Sequence, residues 1–276
     1  DAEQNFDNKV GFKLISTGGY YHSLPLDELR QFIDATADAT RAMGFKNEKD
    51  HAEVAPSQFE INFSYTDVVR ACDQILLYKL TCRQIATRMG MTATFLPKPI
   101  QNINGCGMHT NLSLNKNGKN LFHDAKGQDG LSKMGWEFID KVLNRAPDLC
   151  LLINSSVNAY RRLDPNFEAP NQIKVSAQDR GSMIRIPLAN EKSARIEVRS
   201  VAPDSNPYLA LFGILKTGID DKLPKPDKAD KRPRLRFLPG TIKDAIRIYK
   251  TSDYISTILG EGEKIPADAR LVAVSN

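Results

Sequence analysis

The sequence predicts an α+β protein built on a mixed sheet, and three observations carry that prediction. Helix-like and strand-like segments alternate irregularly along the 276 residues, rather than repeating as strand–helix units. Several strand-like segments are apolar on one face only, whereas the strands of a parallel, doubly covered sheet are apolar on both faces. A composition of 41% hydrophobic and 26% charged residues is ordinary for a globular core. We therefore expect a mixed sheet flanked by helices, in one large domain or two small ones.

Six segments carry helix signals, namely apolar residues at helical spacing or a capping residue at the start. Thr66 can cap the second helix, Pro207 suits the first turn of the fourth, and Pro147 should halt the third. The last two helices follow a basic, Pro-rich stretch at 221–237 that is typical of a surface linker. The predicted helices are 27–43, 66–89, 131–144, 207–215, 241–249 and 252–259.

Six segments have the alternation or the β-branched content of strands. Pro56 interrupts the second of them and predicts a bulge or turn there. The predicted strands are 45–48, 53–63, 92–96, 108–114, 183–187 and 195–199.

Composition and charge exclude several classes of function. The formal net charge of +5 is mild and dispersed, so it argues against nucleic-acid binding and fits an anionic small molecule. No apolar run is long enough to span a bilayer, so we expect no membrane partner. The four cysteines form neither a CxxC pair nor a zinc spacing, which indicates reduced thiols in a cytoplasmic protein.

The stretch Arg195–Arg199 is the strongest sign of chemistry. Alternation along a strand places both arginines and Glu197 on one face, with Ile196 and Val198 on the other. Guanidinium groups suit phosphate or carboxylate, and a carboxylate oxygen suits a hard metal ion. A solvated strand face with exposed ion pairs is the competing interpretation.

Two further segments place polar groups where a ligand could meet them. On 108–114, alternation puts His109, Asn111 and Ser113 on one face, although a structural histidine is the plainer interpretation. A turn at Pro56 would let Glu53 and Glu60 converge, and converging carboxylates suit Mg²⁺ or Mn²⁺. Two separate exposed glutamates are the alternative.

The remaining signals concern loops and arginines. The loop at 104–107 has two glycines that permit close backbone approach, but it is neither a dinucleotide fingerprint nor a P-loop. Prolines bracket a loop at 161–170 that could be a mobile flap or an ordinary surface loop. Arg180 and Arg185 add to the two arginines above, and such a set suits phosphoryl transfer.

Taken in order, these segments resemble type I glutamine synthetase over roughly residues 16–260. The number and order of the matches make coincidence very improbable. The matching motifs are 53–60, 95–99, 104–109, 158–163, 167–170, 184–187, 195–199 and 206–210, with 18–20 upstream.

The resemblance implies a curved, mostly antiparallel sheet flanked by helices, in a single catalytic domain over 1–276. Its core would lie at about 16–220, followed by the linker at 221–237 and a helical segment at 238–276. The implied reaction joins ammonium to L-glutamate at the expense of ATP, through a γ-glutamyl phosphate. Two Mg²⁺ or Mn²⁺ ions and a double-ring dodecamer of identical subunits are implied as well.

Residue roles follow from the same resemblance. Metal ligands would be Glu53, Glu60, His109 and Glu197. The glutamate site would comprise Asn104, Gly105, His109, Arg162 and Arg199. ATP contacts would come from Glu48, Tyr65, Asn111, Ser113, Arg185, Lys192 and Arg195. Catalytic residues would be Arg180 and Arg199, the flap carboxylate Glu168, and Tyr20 at the ammonium site.

Departures from the family pattern set limits on these expectations. Nothing in the sequence resembles the family's N-terminal β-grasp domain or its Glu-x-Glu strand, so we expect a catalytic-domain fragment that is inactive alone. Ala52 replaces a common second histidine, Cys106 a common serine, and Asn111 a histidine found in many members. A γ-glutamyl ligase acting on a polyamine and a non-catalytic homologue with an assembly role stay open as alternatives. A phosphagen-kinase function is weaker, because no guanidino-substrate loop is evident.

Overall fold

The computed structural model describes residues 14–22, 27–223 and 235–260. Contacts within the chain divide it into two compact units, residues 1–95 and residues 96–276, which are described in turn. The single domain expected over 1–276 stays a prediction. Within the described ranges, no helix is both long and apolar enough to cross a membrane.

The first unit packs two helices against a β-hairpin. Asp27 caps the first helix by accepting a hydrogen bond from the backbone N–H of Leu29 at 2.9 Å. The second helix is capped in the same way by Asp67, not by Thr66 as predicted, because the Asp67 carboxylate accepts from Arg70 N–H. The elements are α1 (Glu28–Ala42), β1 (Asn47–Ala52), β2 (Phe59–Phe63) and α2 (Val68–Arg88).

The three strand predictions in this unit need correction. The strand predicted at 45–48 is β1, which runs from Asn47 to Ala52. The predicted strand 53–63 begins only at Phe59, because residues 53–58 form the turn of the hairpin, with Ser57 at a φ of 59°. Residues 92–96 are not a strand at all. Their alternation instead places Ala93 and Phe95 against the apolar cluster between the helices, and the Phe95 ring meets Tyr78 at 5.9 Å.

The second unit combines a four-stranded sheet with six helices among its described residues. One face of the sheet and helices α3, α4 and α6 enclose a large apolar core, in which Phe138, Ile184 and Ile196 are almost fully buried. The strands are β3 (Thr110–Leu112), β6 (Gln172–Ser176), β7 (Ser182–Arg185) and β8 (Ile196–Val198), with a small hairpin β4 (Asn115–Lys116) and β5 (Lys119–Asn120). The helices are α3 (Lys133–Asn144), α4 (Ala146–Ile153), α5 (Val157–Arg162), α6 (Pro207–Asp220), α7 (Ile242–Thr251) and α8 (Asp253–Leu259).

The sheet runs in the order β3-β8-β7-β6 and confirms the predicted α+β class. Both β3–β8 and β8–β7 pair antiparallel, while β7–β6 pair parallel. The register places Asn111 opposite Glu197 and Glu197 opposite Arg185, so these three residues form a row across three strands. Ile196 and Val198 on the other face are fully buried, as alternation predicted.

The helices of this unit differ from prediction around Pro147. The helix predicted at 131–144 does end before Pro147, as α3. The proline itself lies in the first turn of α4, a helix that was not predicted, where its missing N–H costs nothing. Helix α5, which begins after the capping Ser156, and strand β6 were not predicted. Both are short, and a six-residue helix shows too few turns for its periodicity to be visible.

The C-terminal part of the described chain joins this unit. Arg236 O accepts a hydrogen bond from Ile173 N–H at 2.9 Å, and Leu238 N–H donates to Asn171 O at 2.8 Å. This end of the predicted linker is therefore paired with the start of β6. The rest of the linker at 224–234, and residues 261–276, lie outside the described residues. Helices α7 and α8 confirm the two predicted short helices.

An ion pair between His22 and Asp27 gives the first unit a predictable pH dependence. His22 Nε2 lies 2.6 Å from the Asp27 carboxylate, and its Nδ1 donates to Gly19 O at 2.9 Å, so both ring nitrogens favour the protonated ring. Hydrogen bonding to Asp27 is the main reason why the pKa of His22 is raised. Burial opposes ionisation of Asp27, but the hydrogen bonds from His22, Leu29 N–H and Ser16 outweigh it and lower its pKa.

We expect the stabilisation from this pair to be complete below the unfolded-state pKa of histidine, about 6.5, and to be lost as pH rises through the higher folded-state pKa. At the acid end it is lost as pH falls below about 4, through the lowered pKa of Asp27. Urea unfolding of wild type and His22→Gln should differ most near pH 6 and converge by about pH 9. Asp27→Asn keeps the capping oxygen and should likewise reduce the pH dependence of the free energy of unfolding. An unchanged pH profile in both variants would contradict the assignment.

Candidate active site

In the first unit, a cluster lies beside the turn of the hairpin and consists of His51, Glu53 and Glu60. His51 lies directly opposite Glu60 in the strand register, and Glu53 follows two residues later on the same face. His51 Nδ1 lies 3.8 Å from the Glu53 carboxylate, and His51 Nε2 lies 3.8 Å from that of Glu60. One ligand atom from each residue falls within 4.8 Å of the others. The turn at Pro56 thus brings the two carboxylates together, as its position predicted.

This cluster fits a divalent cation. His51 is 4% exposed, and its Nδ1 lies 3.1 Å from Ala52 O, which leaves the lone pair on Nε2. That Nε2 is buried and has no hydrogen-bond partner. Burial, with the nearby charge of Glu60 added, raises the pKa of Glu53 despite the hydrogen bond from Val54 N–H. A buried nitrogen lone pair 3.8 Å from the Glu60 carboxylate, with the Glu53 carboxylate in the same cluster, is a donor set for Mg²⁺ or Mn²⁺.

No role was predicted for His51 from the sequence, although its two-residue spacing from Glu53 could have indicated one. His51 and Glu53 are two residues apart on a strand, which places them on one face. The flanking Tyr21 ring stacks on the His51 ring at 4.0 Å, and Tyr20 meets it edge-on at 5.5 Å. Gly18, with a φ of 86°, lets the chain pass Pro56, because a Cβ there would lie 2.8 Å from Pro56 N.

The other predicted residues of this unit are more exposed than the cluster. Tyr20 is half exposed, and Tyr65 is 93% exposed. Glu48 accepts a hydrogen bond from the Ser64 hydroxyl at 3.0 Å on the exposed part of the hairpin. Their assignment to ammonium and ATP stays a prediction.

In the second unit, the polar face of the sheet is organised around Glu197. Its carboxylate is 6% exposed, accepts a hydrogen bond from Arg185 Nε and lies 3.3 Å from Arg199 Nη1. Its other oxygen, Oε1, lies 3.6 Å from His109 Nδ1. Arg199 is also buried and donates to Arg180 O at 2.9 Å. Of the row of charges predicted on 195–199, the structure brings Arg199 to Glu197, whereas Arg195 bonds to Asn111.

Arg162 completes this face from helix α5. It is 2% exposed, donates from Nη2 to Arg199 O at 2.8 Å and lies 3.4 Å from His109 Nε2. Burial lowers its pKa to about 10, so it stays charged at neutral pH. Loss of solvation, followed by repulsion from Arg199, Arg162 and Arg185, lowers the pKa of His109. A neutral imidazole, one carboxylate and three guanidinium groups leave this face cationic.

His109 and Glu197 offer a second pair of donors for a divalent cation. A neutral imidazole nitrogen and the Oε1 atom of Glu197 are both suitable ligands. The other Glu197 oxygen, Oε2, is engaged by Arg185 and Arg199, so Oε1 is the oxygen that remains for a metal ion. A full coordination sphere needs donors beyond His109 and Glu197.

Two glycines of the loop at 104–107 are required by close approach. At Gly105 a Cβ would lie 2.3 Å from Pro97 O, and at Gly107 it would lie 2.4 Å from Arg162 Nη2 and 2.6 Å from His109 Nε2. The loop therefore runs against Arg162 and His109, two of the residues that the resemblance assigns to the glutamate site. Asn104 is half-buried in the same loop.

Glu168 and Arg180 face each other on a separate rim of this unit. The Arg180 Nη1 atom lies 3.9 Å from the Glu168 carboxylate, and both side chains are more than half exposed. Glu168 adopts a left-handed conformation, with a φ of 57°, after the short 3₁₀ turn Pro165–Phe167. An open cleft of about 340 Å³ lies between their loops and is also lined by Lys174 and Asp179.

The remaining predicted nucleotide contacts are at the outer edge of the sheet. Arg195 Nε donates to the Asn111 side-chain oxygen at 3.1 Å, which ties β8 to β3. Ser113 and Lys192 are exposed, and their assignment to ATP stays a prediction.

Comparisons with known proteins identify the family of this chain. A family model described as "Glutamine synthetase, catalytic domain" matches residues 1–263. Glutamine synthetase of Thermus thermophilus is 39% identical over 257 residues, which make up 88% of this chain and 58% of that protein. Glutamine synthetase of Staphylococcus aureus is 38% identical over 262 residues, covering 90% and 59% respectively.

A solved structure supports the fold. The cryo-EM structure of Plasmodium falciparum glutamine synthetase superimposes with a TM-score of 0.79 at 23% identity, over 88% of this chain and 57% of that one. The chain spans about three fifths of the length of these relatives. Since the family model covers nearly all of the sequence and the same fold recurs, the chain belongs to the glutamine synthetase family and corresponds to its catalytic domain.

Proposed function

We propose that the protein containing this chain is an ATP-dependent glutamate–ammonia ligase, which forms glutamine, ADP and phosphate. The observation that carries the proposal is the cationic face of the sheet, where Glu197, Arg185 and Arg199 meet His109 and Arg162. Buried guanidinium groups in excess of carboxylate attract the carboxylates of glutamate and the phosphates of ATP.

In the first step, a γ-carboxylate oxygen of glutamate attacks the terminal phosphorus of ATP, and the bond from that phosphorus to the ADP oxygen breaks. Arg162 and Arg199 hold the amino acid, while Arg180 and Arg185 offset the charge on the phosphoryl oxygens. Mg²⁺ or Mn²⁺, held by His51, Glu53 and Glu60 and by His109 with Glu197, would neutralise phosphate charge. Asn111, Ser113, Lys192 and Arg195, with Glu48 and Tyr65, are the proposed nucleotide contacts.

In the second step, the nitrogen of ammonia attacks the acyl carbon, and phosphate leaves with the bonding electrons. Glu168 takes the proton that the nitrogen releases, and Tyr20 is proposed to contribute to ammonium binding. An acyl phosphate hydrolyses readily in water, so the turn that bears Glu168 must also exclude water. The face-to-face placement of Glu168 and Arg180 supports this role.

Assembly, cellular location and the amine are part of the same proposal. The resemblance supports a double-ring dodecamer in the cytoplasm. The described residues supply only two donors at the His109–Glu197 position, so we expect the 276 residues alone to be inactive. A polyamine ligase would use the same phosphate and metal residues and differ only in its amine pocket.

The test uses the natural protein that contains this chain. With ATP, Mg²⁺, glutamate and ammonium, it should release phosphate and glutamine in equal amounts. Absence of phosphate release from metal-saturated protein would contradict the proposal. Faster turnover when putrescine replaces ammonium would indicate the polyamine ligase. If calorimetry detected binding of neither Mn²⁺ nor nucleotide, the result would indicate a non-catalytic role in assembly.

A further inference from the structure

Lys98 is a buried lysine to which the proposed mechanism assigns no task. It is 8% exposed, and desolvation lowers the pKa of its ammonium group. Burying an ammonium group is costly unless other groups compensate for the lost water. The groups that contact Lys98 therefore indicate its structural role.

The backbone of Lys98 is fixed to helix α5. Its N–H donates to the Asn158 side-chain oxygen at 2.6 Å, and its carbonyl accepts from Asn158 Nδ2 at 3.0 Å. Two hydrogen bonds to one amide hold the position of the Lys98 backbone. The side chain consequently extends from a defined point.

The ammonium group of Lys98 meets two different segments. It donates a hydrogen bond to Ile103 O, at the start of the loop 103–107. It also lies 3.7 Å from the centroid of the Phe167 ring, close enough for a cation–π contact, and is attracted by Asp164. The stem of the side chain passes Gly105, where a Cβ would lie 3.4 Å from Lys98 Cδ.

These contacts connect the two segments that the proposed mechanism uses most. Loop 103–107 runs against Arg162 and His109, and the turn 164–169 carries Glu168. We propose that Lys98 is a positioning residue that fastens the turn 164–169 to loop 103–107, and so holds Glu168 in place over the acyl phosphate. The catalytic part of this inference rests on the proposed function, whereas the fastening itself does not.

The turn also has hydrogen bonds of its own. Phe167 N–H donates to Asp164 O at 3.0 Å, Glu168 N–H to Pro165 O at 3.2 Å and Ala169 N–H to Asp164 O at 3.4 Å. The Asp164 carboxylate accepts from Asn166 N–H and from Asn166 Nδ2, both at 3.0 Å. Glu168 is moreover in a left-handed conformation that a non-glycine residue adopts only at a cost. The cation on the Phe167 ring adds a restraint from outside the turn, and it joins the turn to loop 103–107.

Hydrogen exchange tests the fastening without any catalysis. In Lys98→Met, which keeps the length of the stem and removes the cation, the amides of 167–169 should exchange about tenfold faster. Lys98→Arg keeps a cation over the ring and should stay close to wild type. Lys141→Met is the matched control, because Lys141 of α3 also donates to backbone carbonyls, but these are Gly218 O and Ile219 O at the end of α6.

Phe167→Leu tests the same contact from the other side and serves if Lys98→Met fails to fold. It should accelerate exchange of the same amides, and the double variant should add little to either single change. Unchanged exchange at 167–169 in both single variants would overturn the inference. In the natural protein, Lys98→Met should also release more phosphate per glutamine formed, with Lys98→Arg restoring the ratio. A protein that makes no glutamine would refute the proposed function and leave the exchange result standing.

Discussion

Replacement of Glu197 by Gln should lower kcat for glutamine formation by about 100-fold or more in the natural protein. The substitution keeps the shape of the side chain but removes the one negative charge that faces Arg185, Arg199 and His109. It also removes a metal donor. Because the face becomes more cationic, affinity for ATP should be kept or increased while kcat falls, and steady-state kinetics with varied ATP would show this split.

The same position should also contribute to stability. Glu197→Ala leaves two arginines at a site where the carboxylate was 6% exposed, and breaking such a pair costs about 3 kcal/mol. Glu191→Gln, at an exposed acid on the preceding loop, is the control and should change neither quantity. A kcat for Glu197→Gln within a few-fold of wild type would remove Glu197 from the centre of the site.

The face around Glu197 could be predicted because strand alternation is a local property. Arg195–Arg199 alternates charged and apolar residues, and the structure buries Ile196 and Val198 beneath the polar row. The register that places Asn111 and Arg185 beside Glu197 could not be predicted, since pairing depends on strands that lie far apart in sequence. The family resemblance assigned roles to these residues but gave no register.

Other features escaped prediction for different physical reasons. Helix α3 ends before Pro147 as predicted, but the same proline lies in the first turn of α4, and that helix was missed because a proline after a helix was interpreted only as a stop. The tie between Lys98 and Phe167 joins residues far apart in the chain, and nothing in the sequence indicates which aromatic ring meets a lysine. Long-range side-chain contacts of this kind are seen only in the three-dimensional structure.

Gly107→Ala should be nearly as damaging as the loss of Glu197, for a steric reason. The added methyl group would lie 2.4 Å from Arg162 Nη2 and 2.6 Å from His109 Nε2, well inside contact distance. Arg162 cannot move aside freely, because it is buried and donates to the carbonyls of Arg199 and Val201. We expect a loss of stability of about 1–3 kcal/mol from overpacking.

Activity should fall further than stability alone explains. Displacing Arg162 or His109 by about 1 Å can cost about 100-fold in rate, since both groups must stay in register with the substrate. The KM for glutamate should rise, because Arg162 is the proposed contact to its carboxylate. Gly240→Ala is the control: no atom lies within 4 Å of a Cβ there, so the same substitution should be tolerated. If Gly107→Ala kept the wild-type KM for glutamate at full stability, Arg162 and His109 would not both contact that substrate, and the glutamate site would have to be sought elsewhere on the sheet.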